Sequence, residues 1–428
     1  MTTEPSLEAL RRDGGWALPD NRWDLLDTMQ PQTSPTVSVI VAHYEQPREL
    51  ARTLLALDRQ RYPRELVEII VVDDGSAEQP VVPGHVTLVS QADDGFRVAA
   101  ARNLAVSQAH GDVLVFLDAD TSPEPDYLGE MVRLPALTWD AVTVGRRRHA
   151  DLSAVDASAE IAEAGSTHEL DEPRWLRDAY RDTGDLLASD HRSYRFIIGA
   201  VIACTRRFFD EVGGFDESFS RYGGEDWEWA YRAWARGAVL AHVPTAIAWH
   251  DGPDRAVRAP GALDAKNAEV VTLADLIPVP GSRGRALPTA KVDIVVTGPP
   301  FPASDGQTFV SRDSVMAELP SGEVAEGEWA HTGRYDRVRI AVHIEQPVRV
   351  APGALAPAIE AIETGRYAEV VLRDDERMPL VRVTSMRARA RQVRWGGEPL
   401  LPSLDLSSDG VTPLVGEVDV EAYVGGWG

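Results

Sequence analysis

The chain has 428 residues, of which 44% are hydrophobic and 26% charged, the balance of a folded protein with room for two or three domains. Its formal net charge of −24 excludes a nucleic-acid binder, or a protein held on anionic lipid by a basic surface, since both need positive potential. The single cysteine, Cys204, allows no internal disulfide and favours a reducing compartment, so a cytoplasmic location is expected. No apolar run reaches the roughly 18 residues of a spanning helix, and Met1 to Asp13 lacks a signal-peptide pattern, so no transmembrane segment is expected.

Residues 1–35 read as an N-terminal extension, with Trp16, Trp23, Leu25, Leu26 and Met29 on a short docking helix that Pro31 and Pro35 break. From Thr36 onward apolar strands alternate with amphipathic helices. Strands are predicted at Val37–Ala42, Val67–Val72, Val86–Val89, Val113–Leu117 and Ala141–Val144, and helices at Glu49–Tyr62, Val98–His110 and Pro125–Leu134. This alternation predicts a doubly wound, mostly parallel α/β sheet, in which ligands bind beyond the C-terminal ends of the strands. Residues 146–195 read as helices or loops laid over that site. Arg195 to Thr205 reads as a strand or buried loop. Gly223-Gly224-Glu225-Asp226-Trp227-Glu228 opens a strong helix that Gly237 closes. A strand at Val239–Val243 and a short apolar stretch at Ile247–His250 come next.

After about residue 265 the character shifts. Pro278 to Pro302 is turn-rich, and strands and a helix then recur (Val292–Thr297, Val338–Ile344, Ala354–Thr364, Ala368–Arg373, Leu380–Thr384). The expected domains are 1–35, 36–262 and a smaller α/β or α+β unit at 263–428. The pattern of residues 339–373 parallels that of 114–145, with Ile344-Glu345-Gln346 where the first copy has Asp118-Ala119-Asp120. It fits either a degenerate repeat of the first domain or a coincidence of strand, helix and strand.

Two acidic clusters, Asp73-Asp74 and Asp118-Ala119-Asp120, end strands and should face one crevice. Carboxylates there can hold a hard divalent cation, and Mg²⁺ or Mn²⁺ would share its shell with substrate phosphates. At the helix start, two glycines let the backbone approach a ligand, while Glu225, Asp226 and Glu228 exceed what one helix cap needs.

These pieces resemble family 2 glycosyltransferases of the GT-A fold over residues 36–255. The motifs are Val37–Tyr44, Val71-Val72-Asp73-Asp74-Gly75-Ser76, Gly95–Asn103, Phe116–Asp120, Phe196–Asp216 and Gly223–Glu228. Asp94-Gly95-Phe96-Arg97 and Ala248-Trp249-His250 are similar to bacterial chondroitin-polymerase and hyaluronan-synthase domains, and the Gly-Gly-Glu-Asp segment to galactosyltransferases. The resemblance implies a nucleotide-sugar donor, a UDP-sugar, with Asp73 or Asp74 accepting the uracil imide hydrogen and His43, Tyr44 and Glu45 lining the base pocket. It implies Arg102 facing the diphosphate, Asp120 and His250 on Mn²⁺ or Mg²⁺, and Asp118 on the ribose or a metal-bound water. Ile247 replaces a methionine ligand of the galactosyltransferase type. Asp226 is implied as the general base of an inverting transfer and Glu225 as the group binding acceptor hydroxyls; one of Trp227 and Trp229 stacks on a sugar, or both are core. The expected partners are the donor and a saccharide or glycoconjugate acceptor, with a homo-oligomer through residues 263–428 as one role for that unit. The rival readings are a peptide or natural-product acceptor, and a non-catalytic sugar-nucleotide-binding scaffold.

Overall fold

The computed structural model describes residues 8–220, 223–253, 262–284, 287, 290–299, 302–326, 329 and 333–425. Part of the expected extension (1–7), part of the expected turn-rich join (285, 286, 288, 289, 300 and 301) and residues 254–261 lie outside these. The chain divides into two compact units, the larger made of Ala9–Trp234 and Ala238–Thr272, the smaller made chiefly of the chain from Leu273 onward.

In the larger unit the alternating pattern becomes β1 (Val37–His43), α1 (Pro47–Asp58), β2 (Val67–Asp73), β3 (Val86–Ser90), α2 (Val98–Gln108), β4 (Val113–Asp118), β5 (Thr121–Pro123), α3 (Tyr127–Leu137) and β6 (Ala141–Ala150). Then come α4 (Arg174–Thr183), β7 (Val201–Thr205), α5 (Arg206–Val212), α6 (Glu225–Ala235), β8 (Val239–Asp251) and α7 (Ala262–Leu276). The sheet runs β3-β2-β1-β4-β7-β6-β8-β5, with a two-residue strand, Glu169–Leu170, beside β6. Strands β3, β2, β1 and β4 are parallel neighbours; Val37–Val41, Ile69–Val72 and Val113–Leu117 are buried, as strands covered on both faces must be, while the edge strand β3 buries only Val86. From β7 the sheet is mixed: β7 is antiparallel to both β4 and β6, β6 and β8 are parallel, and β5 is antiparallel to β8. The expected α/β sheet is thus uniformly parallel in one half and mixed in the other.

Two strands outrun their sequence signals. Arg146–Arg148 reads as loop because it is charged, yet β6 continues through it, since β8 runs alongside and supplies ladder partners as far as Asp251. In β8 the Val239–Val243 strand and the Ile247–His250 stretch are one strand, interrupted only by a register shift between Val243 and Ile247, where Pro244 cannot donate to the ladder. The N-terminal stretch is built into this unit. Leu18 and Leu26 are fully buried with Leu134, Leu137, Ala141 and Val239. The Asn21 carboxamide donates to Leu240 O at 2.8 Å and accepts from Leu240 N at 2.7 Å, bonding to β8 as a strand neighbour would.

The smaller unit has its own six-stranded mixed sheet, of Gly322–Val324, Ile294–Thr297, Ile340–Ile344, Pro379–Ser385, Glu369–Arg373 and Ser403–Ser407 in that spatial order. Its core is aliphatic. A buried Asp293–Arg339 pair makes two bonds of 3.0 Å, and Glu363 adds a third to the same guanidinium. Where the repeat pattern puts Glu345 and Gln346, Glu345 accepts from Arg382 at 2.5 Å and Gln346 donates to Pro379 O at 3.0 Å, so both are engaged within this sheet.

Candidate functional site: an acidic cleft at the strand ends

Register places the acids. Along the parallel strands His43 stands beside Asp73, and Ala42 beside Asp118. Ala119 is fully buried and its N–H donates to Ala42 O at 2.8 Å, which turns Asp118 and Asp120 out of the sheet on either side of it. The next strand, β5, pairs with β8 so that Thr121 lies opposite His250. That pairing brings His250 Nε2 to 3.6 Å from Asp120 Oδ2.

These strand ends open into a cleft of about 870 Å³, within the usual range for small-molecule sites. Of the sequence-predicted residues, His43, Tyr44, Glu45 and Asp74 line it, as do Arg102, Asp118 and Asp120. Glu225, Asp226 and His250 line the same cleft. Asp73 lies behind the wall, its carboxylate taken up by His43 Nδ1 at 2.8 Å and by the hydroxyl and N–H of Ser76. Of the two adjacent aspartates, the one presented to the cleft is Asp74, held by the Gln91 amide and the Arg97 N–H. Burial pushes its pKa above the ordinary value.

His43 is committed at both nitrogens. Nδ1–H donates to Asp73, and Nε2 accepts from Gln46 N at 3.2 Å. Glu45, at a positive φ of 53°, accepts from Ala77 N at 2.6 Å and so ties the β1 end to the turn after β2. Such a φ is costly for a residue with a side chain. Tyr44 is exposed at the cleft mouth. Gln46 precedes the helix that Pro47 opens, but its side chain makes no cap bond; it reaches Asp120 Oδ2 at 3.0 Å instead.

On the cleft's other side stands α6, whose acidic first turn suits the positive end of the helix dipole. Its three acids divide. Glu228 turns into the core and pairs with Arg232 at 2.7 Å, one helical turn on. Asp226 is oriented by two backbone donors, Gly199 N to Oδ2 at 2.9 Å and Trp227 N to Oδ1 at 2.8 Å. Gly199 leaves little room here, because a Cβ would stand 3.0 Å from Arg102 Nη1 and 3.2 Å from Asp226 Cβ and push on both side chains. Glu225 accepts from Arg102 at 3.0 Å through Oε1, while its buried Oε2 has no hydrogen-bond partner. Arg102, itself buried, also donates to Asp118 Oδ1 at 2.8 Å. Burial first, and then the adjacent Asp226 carboxylate, push Glu225 up to about 7. Burial likewise raises Asp226. Trp227 lines the cleft, with the Lys266 ammonium 5.1 Å from its ring centroid, whereas Trp229 is core.

Sequence reasoning overlooked Gln46, Arg147, Gly199, Lys266 and Glu269, all on the cleft wall. One signal was available: Lys266 is one of only two lysines in the chain.

Among the described residues no cluster of three or more His, Cys, Asp or Glu side chains is arranged to hold a metal. Asp120 and His250 fit as half of such a site. His250 Nδ1 donates to Gly252 O at 3.2 Å, which leaves the Nε2 lone pair facing an acceptor oxygen of Asp120. Two acceptors 3.6 Å apart repel unless a proton or a cation lies between them.

Parallel strands ending on acids, a returning mixed half and a carboxylate pair at a helix start define a GT-A-type α/β domain. Residues 38–194 match glycosyl transferase family 2, and residues 188–249 match the N-terminal domain of galactosyltransferase. It is 28% identical to the hyaluronan synthase of Pasteurella multocida over 51% of this chain and 24% of that one. It is 28% identical to the chondroitin synthase of Escherichia coli over 64% of this chain and 43% of that one. The chain thus spans less than half the length of these relatives. A solved mannosyltransferase of Pyrobaculum calidifontis, in complex with GDP-Man and Mn²⁺, aligns at 21% identity and a TM-score of 0.40 over 58% of this chain and 64% of that one. Among the described residues no helix is long and apolar enough to cross a membrane.

Proposed function

We propose that the protein is an inverting glycosyltransferase that moves a sugar from a nucleotide donor, a UDP-sugar, to a hydroxyl of a saccharide or glycoconjugate. The observation that carries the reading is that the Asp120–His250 pair and the Asp226 carboxylate line one cleft. The nucleoside binds at the β1 and β2 ends, with Asp74 accepting the base imide hydrogen beside Tyr44. Asp120 and His250 would hold the divalent cation, Mn²⁺ or Mg²⁺. That cation supplies neutralisation of charge developing on the departing diphosphate.

Asp226 takes the proton from the acceptor hydroxyl as that oxygen attacks the anomeric carbon, and the bond to the diphosphate breaks on the opposite side. The two backbone N–H groups on Asp226 fix its carboxylate while leaving lone pairs for the hydroxyl. Glu225, partly protonated at neutral pH, can donate to or accept from a second acceptor hydroxyl through Oε2. Trp227 offers a sugar an apolar ring face.

A thermal-shift screen of nucleotides and nucleotide sugars, with Mn²⁺ and with chelator, tests the donor site, because a ligand stabilises by RT ln(1 + [L]/Kd). UDP and one UDP-sugar should raise Tm, and more so with Mn²⁺. No nucleotide raising Tm with Mn²⁺ present would overturn the reading. Binding without release of UDP in the presence of saccharide acceptors would instead mark a scaffold.

A further inference from the structure

Arg147 belongs to two cavities. Besides the acidic cleft it walls a smaller one of about 200 Å³ between β6, α4 and β8. That is the liquid volume of roughly seven waters, enough for one sugar unit. The charge of this cavity runs against that of the chain. Four arginines, Arg146, Arg147, Arg177 and Arg181, line it against two acids, Glu172 and Asp185, in a protein of net charge −24.

Both acids are engaged. Glu172 accepts from Arg146 at 2.8 Å, and Asp185 accepts from His242 Nδ1 at 2.7 Å. Arg181 also meets Asp178 and Asp182, and Arg177 lies 3.9 Å from Asp178, but these exposed acids are not part of the cavity wall. Such solvated pairs are weak and leave guanidinium donors to spare.

A second observation points to a ligand. His242, on the cavity wall, is buried and stacked on Tyr180, with ring centroids 3.7 Å apart and planes 3° apart. Its Nδ1–H is spent on Asp185, and its buried Nε2 has no hydrogen-bond partner. Burial pulls the imidazole pKa below its ordinary value, so Nε2 is an acceptor at neutral pH. The wall therefore combines donors suited to an anion with an acceptor suited to a hydroxyl. Pro173, Leu176 and Pro244 supply apolar surface for the C–H face of a ring. Tyr180 further ties the cavity to the cleft, since its hydroxyl donates to Phe196 O at 2.7 Å, in the segment that leads to Gly199.

We infer that this cavity binds an anionic sugar unit, with its carboxylate or phosphate on the arginines and a hydroxyl on His242. It is the acceptor subsite next to the transfer centre, an assignment that rests on the transferase reading. The acceptor is thus an acidic saccharide, and its charge is read apart from the donor's diphosphate.

The test is a ligand-observed NMR titration of the full chain at low salt with D-glucuronate, glucose 6-phosphate and D-glucose, beside a calorimetric titration of UDP with Mn²⁺. At least one acid should bind about tenfold more tightly than glucose, as expected for charge-assisted bonds. The acid that does so identifies the source of the charge. The double variant Arg177→Ala/Arg181→Ala, at two side chains more than half exposed, should lose that preference and keep its UDP affinity. Acids binding no better than glucose, or a preference that survives the double variant, would overturn the cavity's role. An acid preference without UDP binding would overturn the acceptor assignment and the donor site, and leave an anion site of another kind.

Discussion

Arg102 and Glu225 form a buried ion pair of 3.0 Å between α2 and the start of α6, and the same guanidinium reaches Asp118 at 2.8 Å. One cation thus joins the acid that ends β4 to the acid that opens the helix across the cleft. Removing one partner of a buried pair leaves the other charge stranded, at a cost of about 3–5 kcal/mol. Arg102→Ala should lower the unfolding free energy by about that amount in urea melts, and Arg102→Lys should recover part of it. If Arg102 served only the donor diphosphate, UDP affinity would fall while stability hardly moved.

Asp226→Asn keeps shape and hydrogen bonding but cannot take a proton. We expect kcat to fall by about 10²-fold or more, with UDP affinity little changed. A helix-capping role would give the reverse pattern, a stability loss of roughly 0.5–2 kcal/mol and a nearly unchanged rate.

Glu225 gives the site a pH signature. Its folded-state pKa is raised to about 7, so its contribution to stability is full below its ordinary value of 4.5 and is lost as pH rises through about 7. Glu225→Gln should therefore flatten the stability profile, gaining about 3 kcal/mol on the parent between pH ~4.5 and pH ~8, read from urea melts at both ends. The adjacent Asp226 carboxylate helps raise Glu225, and such repulsion is reciprocal, so the acidic limb of kcat/KM should move to lower pH in this variant. A limb that stays in place would show that Glu225 does not set the protonation of Asp226.

Asp120→Asn and His250→Gln should each abolish most of the gain in UDP affinity that Mn²⁺ gives, while leaving affinity measured with chelator nearly unchanged. Calorimetry with and without the ion decides it. Equal UDP affinity in the parent under both conditions would remove the cation from the reaction.

The parallel half was legible because β1, β2 and β4 are mostly apolar runs, two of which end abruptly in acids, Asp73 and Asp118, a pattern strand burial imposes directly on sequence. The mixed half was less so. Arg146–Arg148 carries charge into a strand, and only its partner β8 makes it one. The site acids were legible as residue types, but their partners were not. Nothing local tells that Asp73 is spent on His43 and Ser76 while Asp74 is presented, or that Arg102 lies between two carboxylates. Those are facts of register and of side-chain reach between distant segments. Glu228 shows the converse: its spacing from Arg232 announced a helical pair all along.

Asn21 changes how this domain should be cut. Its carboxamide occupies both the N–H and the carbonyl of Leu240, and the same segment buries Leu18 and Leu26 against α3 and β8. A recombinant fragment begun at residue 36, where the family likeness starts, would strip two core leucines and unmask a backbone amide. Such a fragment should express as aggregate even with every residue of the cleft intact, since bare apolar surface and an unpaired strand amide invite intermolecular pairing. The first residues that the fold needs are not the first ones that the chemistry uses.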